Sequence, residues 1–101
     1  MSIATKAYLI AEIDIHDPAG FEAYRDAVAP MIAAHGGRYL VRGGLTVALE
    51  GDAPTTRIVV LEFPDTDSAQ RFWSSDDYAP VAAIRHRSSH SRIYMIEGYP
   101  A

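Results

Sequence analysis

Between Gly36 and Pro64 the chain reads GGRYLVRGGLTVALEGDAPTTRIVVLEFP. Two strand-like runs follow one another there with no helical stretch between them. The first, from Arg38 to Glu50, opens on Tyr39, Leu40 and Val41, which suit a pleated surface, and is then broken by Gly43 and Gly44. Adjacent glycines inside a strand mark a bulge, a bend or a close backbone approach. Arg42 stands immediately before them. After the loop GDAPTT comes the strong strand RIVVLEFP, which Pro64 ends.

On the N-terminal side, HDPAGFEAYRDAVAPMIAAHGG predicts a helix with both ends signalled. Asp17 is a good N-cap, Pro18 suits the first helical position, and Gly36 or Gly37 supplies a left-handed stop. Phe21, Tyr24, Val28, Met31 or Ile32, and His35 recur at helical spacing as one stripe. Pro30 removes one intrahelical bond and predicts a kink near Asp26 to Ala27. Before this helix, Ala7 to Ile15 alternates as a strand. Leu9, Ala11, Ile13 and Ile15 fall on one face, and Tyr8, Ile10, Glu12 and Asp14 on the other.

On the C-terminal side, DTDSAQRFWSS predicts a helix capped by Asp65 or Thr66 that buries Ala69, Phe72 and Trp73. SDDYAPVAAIRHRSS reads as a separate helical piece restarted at Ser75 or Asp76, with Pro80 in its first turn. SRIYMIEG closes the series as a strand. Strand, helix, strand, strand, helix, strand is the ferredoxin-like split βαβ arrangement of an α+β domain. It predicts an antiparallel sheet in the order 4-1-3-2, with the helices on one face. The 101 residues are enough for one core and too few for two, so one domain spans 1–101.

Bulk properties exclude several classes. The net charge of -4, with basic residues scattered rather than striped, argues against nucleic acid, and no nucleic-acid partner is expected. The lack of cysteine removes disulfides, thiolate nucleophiles and sulfur-ligated metals. No run approaches the ~20 apolar residues of a membrane span, and no membrane partner is expected. The first residues, MSIATKAYLIAEIDIH, lack the basic region and long apolar run of a leader, so the expected compartment is cytoplasmic.

One sheet face would be covered by the helices, and the other need not be apolar in a monomer. Yet it carries Ile10, Ile58, Val60, Tyr94 and Ile96 if Val59, Leu61 and Phe63 turn toward the helices. An apolar face of that extent predicts a homodimer in which two sheets pack together. Glu12, Glu62 and Arg42 thread through it, and the strand order places them in adjacent rows. A bend at Gly43 and Gly44 would let Arg42 point into a cavity beside the two carboxylates. Buried charges are costly unless paired, so the cluster is either a structural salt bridge or a site.

Two carboxylates sharing an apolar cavity would push one pKa up, which makes Glu62 and Glu12 candidate general bases. Arg42 is a candidate bidentate anchor for an anionic substrate group. Tyr39, Trp73 and Tyr78 are the further candidate substrate contacts, with core packing as their plainer role. His86 and His90 have the spacing of a metal pair on one helix face, but no third ligand lies nearby. A place at a helix end explains them, and His35, more simply. No phosphate loop and no Ser-His-Asp triad is present, and neither metal nor cofactor is expected.

YLVRGG, LEG, VVLEFP and FWSSDDYAPVAAIR, in this order, resemble the family catalogued as domain of unknown function 1330. Phe72-Trp73 stands where that family shows tryptophan followed by another aromatic residue. The resemblance spans nearly the whole chain and implies a dimeric α+β barrel. That superfamily comprises small enzymes and binding proteins, with sites between sheet and helices or inside the barrel. Its members include cofactor-free monooxygenases, muconolactone-type isomerases and haem-dependent enzymes. Three functional classes follow: a dimeric cofactor-free isomerase or oxygenase acting on a small anionic or aromatic compound, a non-catalytic module binding a small metabolite, or a dimerisation domain.

Overall fold

The computed structural model describes residues 5–100. Residues 1–4, part of the stretch read as lacking a leader, lie outside them. The elements are β1 (Ala7–Ile15), α1 (Pro18–Ala34), β2 (Arg38–Arg42), β3 (Arg57–Phe63), α2 (Thr66–Trp73), α3 (Tyr78–Ser88) and β4 (Ser89–Glu97). The sheet runs β2-β3-β1-β4, which is the expected 4-1-3-2 order read from the other edge, and every neighbouring pair is antiparallel.

Local chemistry accounts for the helix boundaries. The Asp17 carboxylate accepts from the Gly20 N–H at 3.2 Å, satisfying one orphan donor of α1, and Pro18 occupies the first turn. The helix ends where Gly36 takes φ +79, with the Gly37 N–H returning to the Ile32 carbonyl. It runs through Pro30 without interruption. Asp65 caps α2 by accepting from the Ser68 N–H at 2.7 Å. Among the described residues no helix is long and apolar enough to cross a membrane.

The core lies between the sheet and α1, α2 and α3. Leu9, Ala11 and Ile13 of β1 and Leu61 and Phe63 of β3 supply its floor, and Phe21, Val28, Ile32 and Phe72 its roof. The odd residues of β1 therefore face the helices, as the alternation predicts. Phe63 and Phe72 stack with ring centroids 5.5 Å apart, and each contributes roughly 1.5–3 kcal/mol through burial.

Four expectations change. β2 stops at Arg42, and the run Thr46 to Glu50 does not resume as a strand. Its neighbour β3 begins at Arg57 and the last backbone bond between them is from the Gly43 N–H to the Ile58 carbonyl, so the following residues have no strand opposite them, and Leu45, Val47 and Leu49 project into solvent. The irregularity in β2 lies at Leu40 rather than at the glycines: Tyr39 pairs with Leu61 but Val41 with Val60, leaving Leu40 as the extra residue of a bulge. Trp73, at the last turn of α2, is not buried but keeps 44% of its surface exposed. Finally, α3 ends at Ser88 and His90 belongs to β4, so His86 and His90 share no helix face. The His90 ring instead lies 5.1 Å from that of His16.

Candidate functional site

The bulge at Leu40 decides where Arg42 goes. Arg38 pairs with Glu62 on the outer face of the sheet. In a regular strand Arg42, four residues on, would share that face. The extra residue reverses the alternation, and Arg42 pairs with Val59, whose own side chain packs toward the helices. The expected cluster of Arg42, Glu62 and Glu12 therefore does not form. The arginine lies on the helix side of the sheet and the two carboxylates on the outer side.

The carboxylates are also apart from one another. Glu62 pairs across the ladder with Tyr8, and Glu12 lies four residues further along β1, about 13 Å away at strand spacing. Glu62 is held by Arg38 Nε at 2.8 Å, the Tyr8 hydroxyl at 3.2 Å and Lys6 Nζ at 3.4 Å. Burial pushes its pKa up, but the hydrogen bonds from Arg38 and Tyr8 and the charges of Arg38 and Lys6 outweigh this and leave it below the usual value. Glu12 receives both contacts of Arg92 Nη2, at 2.9 and 2.8 Å, and the Tyr94 hydroxyl at 3.0 Å. Those hydrogen bonds, Arg92 first and Tyr94 second, lower its pKa in turn. Both side chains are stable anions with cationic partners, the opposite of a raised general base.

The cavity that Arg42 does reach lies between the sheet and the helices. Its volume is about 50 Å³, and its walls are largely apolar. Of the residues expected to contact substrate, Arg42, Tyr39, Trp73 and Tyr78 all line it. An adjoining groove of about 250 Å³ runs between α2 and β4 and shares Leu9, Trp73 and Ile93 with it. Trp73 therefore borders both spaces.

Sequence reasoning missed three lining residues that carry the chemistry. Tyr24, assigned only to the apolar stripe of α1, has its hydroxyl 3.0 Å from that of Tyr78. Burial, reinforced by the neighbouring Tyr78 hydroxyl, pushes the Tyr24 pKa far above that of a free phenol, so Tyr24 keeps its proton. Arg25 and Arg57 join Arg42 on the lining. The signal for both was present: Arg57 has the parity of Val59, Leu61 and Phe63, and Arg25 lies between Phe21 and Val28 at helical spacing.

The three guanidinium groups gather round Tyr39. The Arg42 guanidinium carbon sits 4.6 Å from the Tyr39 ring centroid. Burial raises the Tyr39 pKa, while the charges of Arg42, Arg25 and Arg57 oppose the rise. Arg57 Nη2 donates to the Arg42 carbonyl at 3.4 Å. A fourth arginine, Arg85, is 4% exposed and lies against the same aromatic wall, 5.7 Å from the Tyr24 ring and 5.6 Å from the Trp73 ring. Its Nη1 donates to the Ser91 hydroxyl. Among the described residues lining the cavity there is no carboxylate and no imidazole. What the arrangement can do is bind an apolar or aromatic body, offer phenolic hydrogen bonds and attract negative charge.

Solved structures share this architecture. A cofactor-independent oxygenase from Streptomyces nogalater, SnoaB, is 18% identical with a TM-score of 0.70, the alignment covering 97% of each chain. The protein of unknown function RPA0582 from Rhodopseudomonas palustris is 13% identical with a TM-score of 0.73, over 98% of this chain and 86% of that one. A dimeric ferredoxin-like protein of unknown function from Thermobifida fusca is 17% identical with a TM-score of 0.66, over 96% and 94%. At these identities the likeness is one of fold. No curated protein matches the chain. A family model matches residues 6–99, nearly the whole length, and the chain accordingly belongs to the family described as Domain of unknown function (DUF1330).

Proposed function

We propose that this chain is a small homodimeric enzyme of the cofactor-free oxygenase or isomerase kind, acting on a small anionic or aromatic compound. The observation that carries the reading is the cavity between sheet and helices, with its apolar walls, its Tyr24–Tyr78 hydroxyl pair and its arginines. The fold likeness to a cofactor-independent oxygenase supports it. In such an enzyme the paired phenols would donate hydrogen bonds to an oxygen that gains negative charge during reaction. Tyr39, Arg42, Trp73 and Tyr78 are the proposed ligand contacts, and Tyr24 joins them. Glu12 and Glu62 belong to the outer face rather than to the chemistry.

The space of about 50 Å³ is smaller than the ~150 Å³ engineered cavity known to admit benzene. A ring needs more room than this, and the groove that shares Trp73 with the cavity lies beside it. The homodimer rests on the outer sheet face, where Tyr94 and Ile96 are 41% and 49% exposed beside half-buried Ile10 and Val60. The dimeric neighbour from Thermobifida fusca supports it. A non-catalytic binding module is the second reading, favoured by the lack of carboxylate and imidazole among the described lining residues.

A thermal-shift series of phenols and arene carboxylates tests both, with oxygen uptake and product formation measured for each stabilising compound. Stabilisation with conversion supports the enzyme, and stabilisation without conversion supports the binding module. A series in which nothing raises the melting temperature overturns the cavity as a site.

A further inference from the structure

We infer that Arg25, Arg42 and Arg57 form a carboxylate-binding subsite, so that the ligand of this cavity is an organic monoanion with its carboxylate held at the Tyr39 end. The inference rests on the cavity being the ligand site and adds the charge and orientation of what it takes.

Three cations from three different elements converge here: Arg25 from α1, Arg42 from the end of β2 and Arg57 from the start of β3. The chain has 13 acidic side chains against 9 lysines and arginines, so carboxylates are not scarce. Yet the ion pairs among the described residues join Lys6 and Arg38 to Glu62, Arg71 to Asp67 and Arg92 to Glu12. None of the three cavity arginines takes part in one. The Nε atoms of Arg25 and Arg57 are buried without a hydrogen-bond partner in the chain, as is that of Arg85 on the neighbouring aromatic wall. Such donors are costly to leave unmet, and two of them in one cluster of like charge indicate that a partner is supplied from outside the chain. Burial, followed by the charges of Arg25 and Arg42, pulls the Arg57 pKa below its usual value, in keeping with an uncompensated cationic cluster.

The backbone is shaped to permit the cluster. Gly43 takes φ +70, and a Cβ there would collide with the Arg57 guanidinium. The bulge at Leu40 turns Arg42 to this side of the sheet. A planar guanidinium presents two parallel N–H donors at the spacing of the two carboxylate oxygens, which favours a carboxylate over a neutral polar group. Tyr39, whose ring the Arg42 guanidinium covers, offers apolar surface for the remainder of the ligand with Trp73 and Tyr78 on the same lining.

The test exploits the single tryptophan, which lines the cavity. Trp73 emission is followed while benzoate, its neutral isostere benzamide and phenol are titrated into wild type, Arg57→Gln and Arg42→Gln. Wild type is expected to bind benzoate about ten-fold or more tightly than benzamide. Arg57→Gln should lose most of that preference while melting no lower than wild type without ligand, because it removes one of three repelling charges. Should Arg57→Gln fail to fold, Arg42→Gln, at an exposed position, is expected to show the same loss. Benzoate and benzamide binding wild type equally, or both variants keeping the preference, overturns the subsite. Phenol binding without benzoate overturns the subsite and leaves the cavity as a ligand site. If none of the three binds, both readings fall.

Discussion

Gly43 and Gly44 are neighbours with opposite physical demands. Gly43 takes φ +70, its N–H bonds the Ile58 carbonyl at 2.9 Å, and its missing Cβ makes room for the Arg57 guanidinium. Gly44 takes no positive φ, and a Cβ there would meet nothing within 4 Å. Alanine at Gly43 is therefore expected to cost about 1–3 kcal/mol through left-handed strain alone. Alanine at Gly44 should be neutral or stabilising by roughly 0.4–1 kcal/mol, because it restricts the unfolded chain. Urea midpoints of the two single variants check this, and equal effects would show that the pair is only a flexible connector. That a glycine here marks a bend was legible in the sequence. Which of the two bends, and that the bend makes room for Arg57 while the Leu40 bulge directs Arg42, was not, because both facts depend on a register set from the next strand.

At the scale of elements, alternation was a reliable guide in β1 and β3 and failed in β2. β1 and β3 place Leu9, Ala11, Ile13, Leu61 and Phe63 inward as their period of two dictates. β2 breaks the rule at Leu40, an ordinary strand residue that gives no local sign of a bulge. One extra residue transferred Arg42 from the company of Glu62 to that of Arg57, and with it the candidate site moved from the outer face to the cavity. The outer face keeps its other predicted character. Val60 pairs with Ile10 on one side and Val41 on the other, at the middle of the apolar surface. Val60→Lys places a charge where two sheets would pack, which cannot be buried without a partner. Sedimentation is expected to show a dimer for wild type and monomer or insoluble material for Val60→Lys. A wild type that sediments as a monomer at micromolar concentration removes the homodimer from the proposal.

For the whole molecule, acid should be the most damaging change of condition, and the direction follows from where its carboxylates sit. Glu12, Glu62 and Asp65 all have pKa values lowered in the folded state. For Glu12 and Asp65 the largest cause is hydrogen bonding, from the Arg92 side chain and the Ser68 backbone respectively, whereas for Glu62 hydrogen bonds and nearby cations overcome an upward push from burial. A group whose folded pKa is depressed stabilises the fold above its unfolded pKa, about 4 for a carboxylate, and that stability is lost as pH falls through the folded value. The urea midpoint should therefore stay level from about pH 7 down to about 5 and then fall below about 4. Glu12 ties β1 to β4 through Arg92, and Glu62 ties β3 to β2 through Arg38, so their protonation removes a contact from each of the four strands. A Glu12→Gln, Glu62→Gln double variant should be less stable than wild type at pH 7 and approach it at pH 3, with a shallower acid limb. A double variant whose midpoint drops between pH 7 and 3 as far as that of wild type would mean that these two carboxylates are not the source of the acid lability, leaving Asp65 at the head of α2 as the group to replace next.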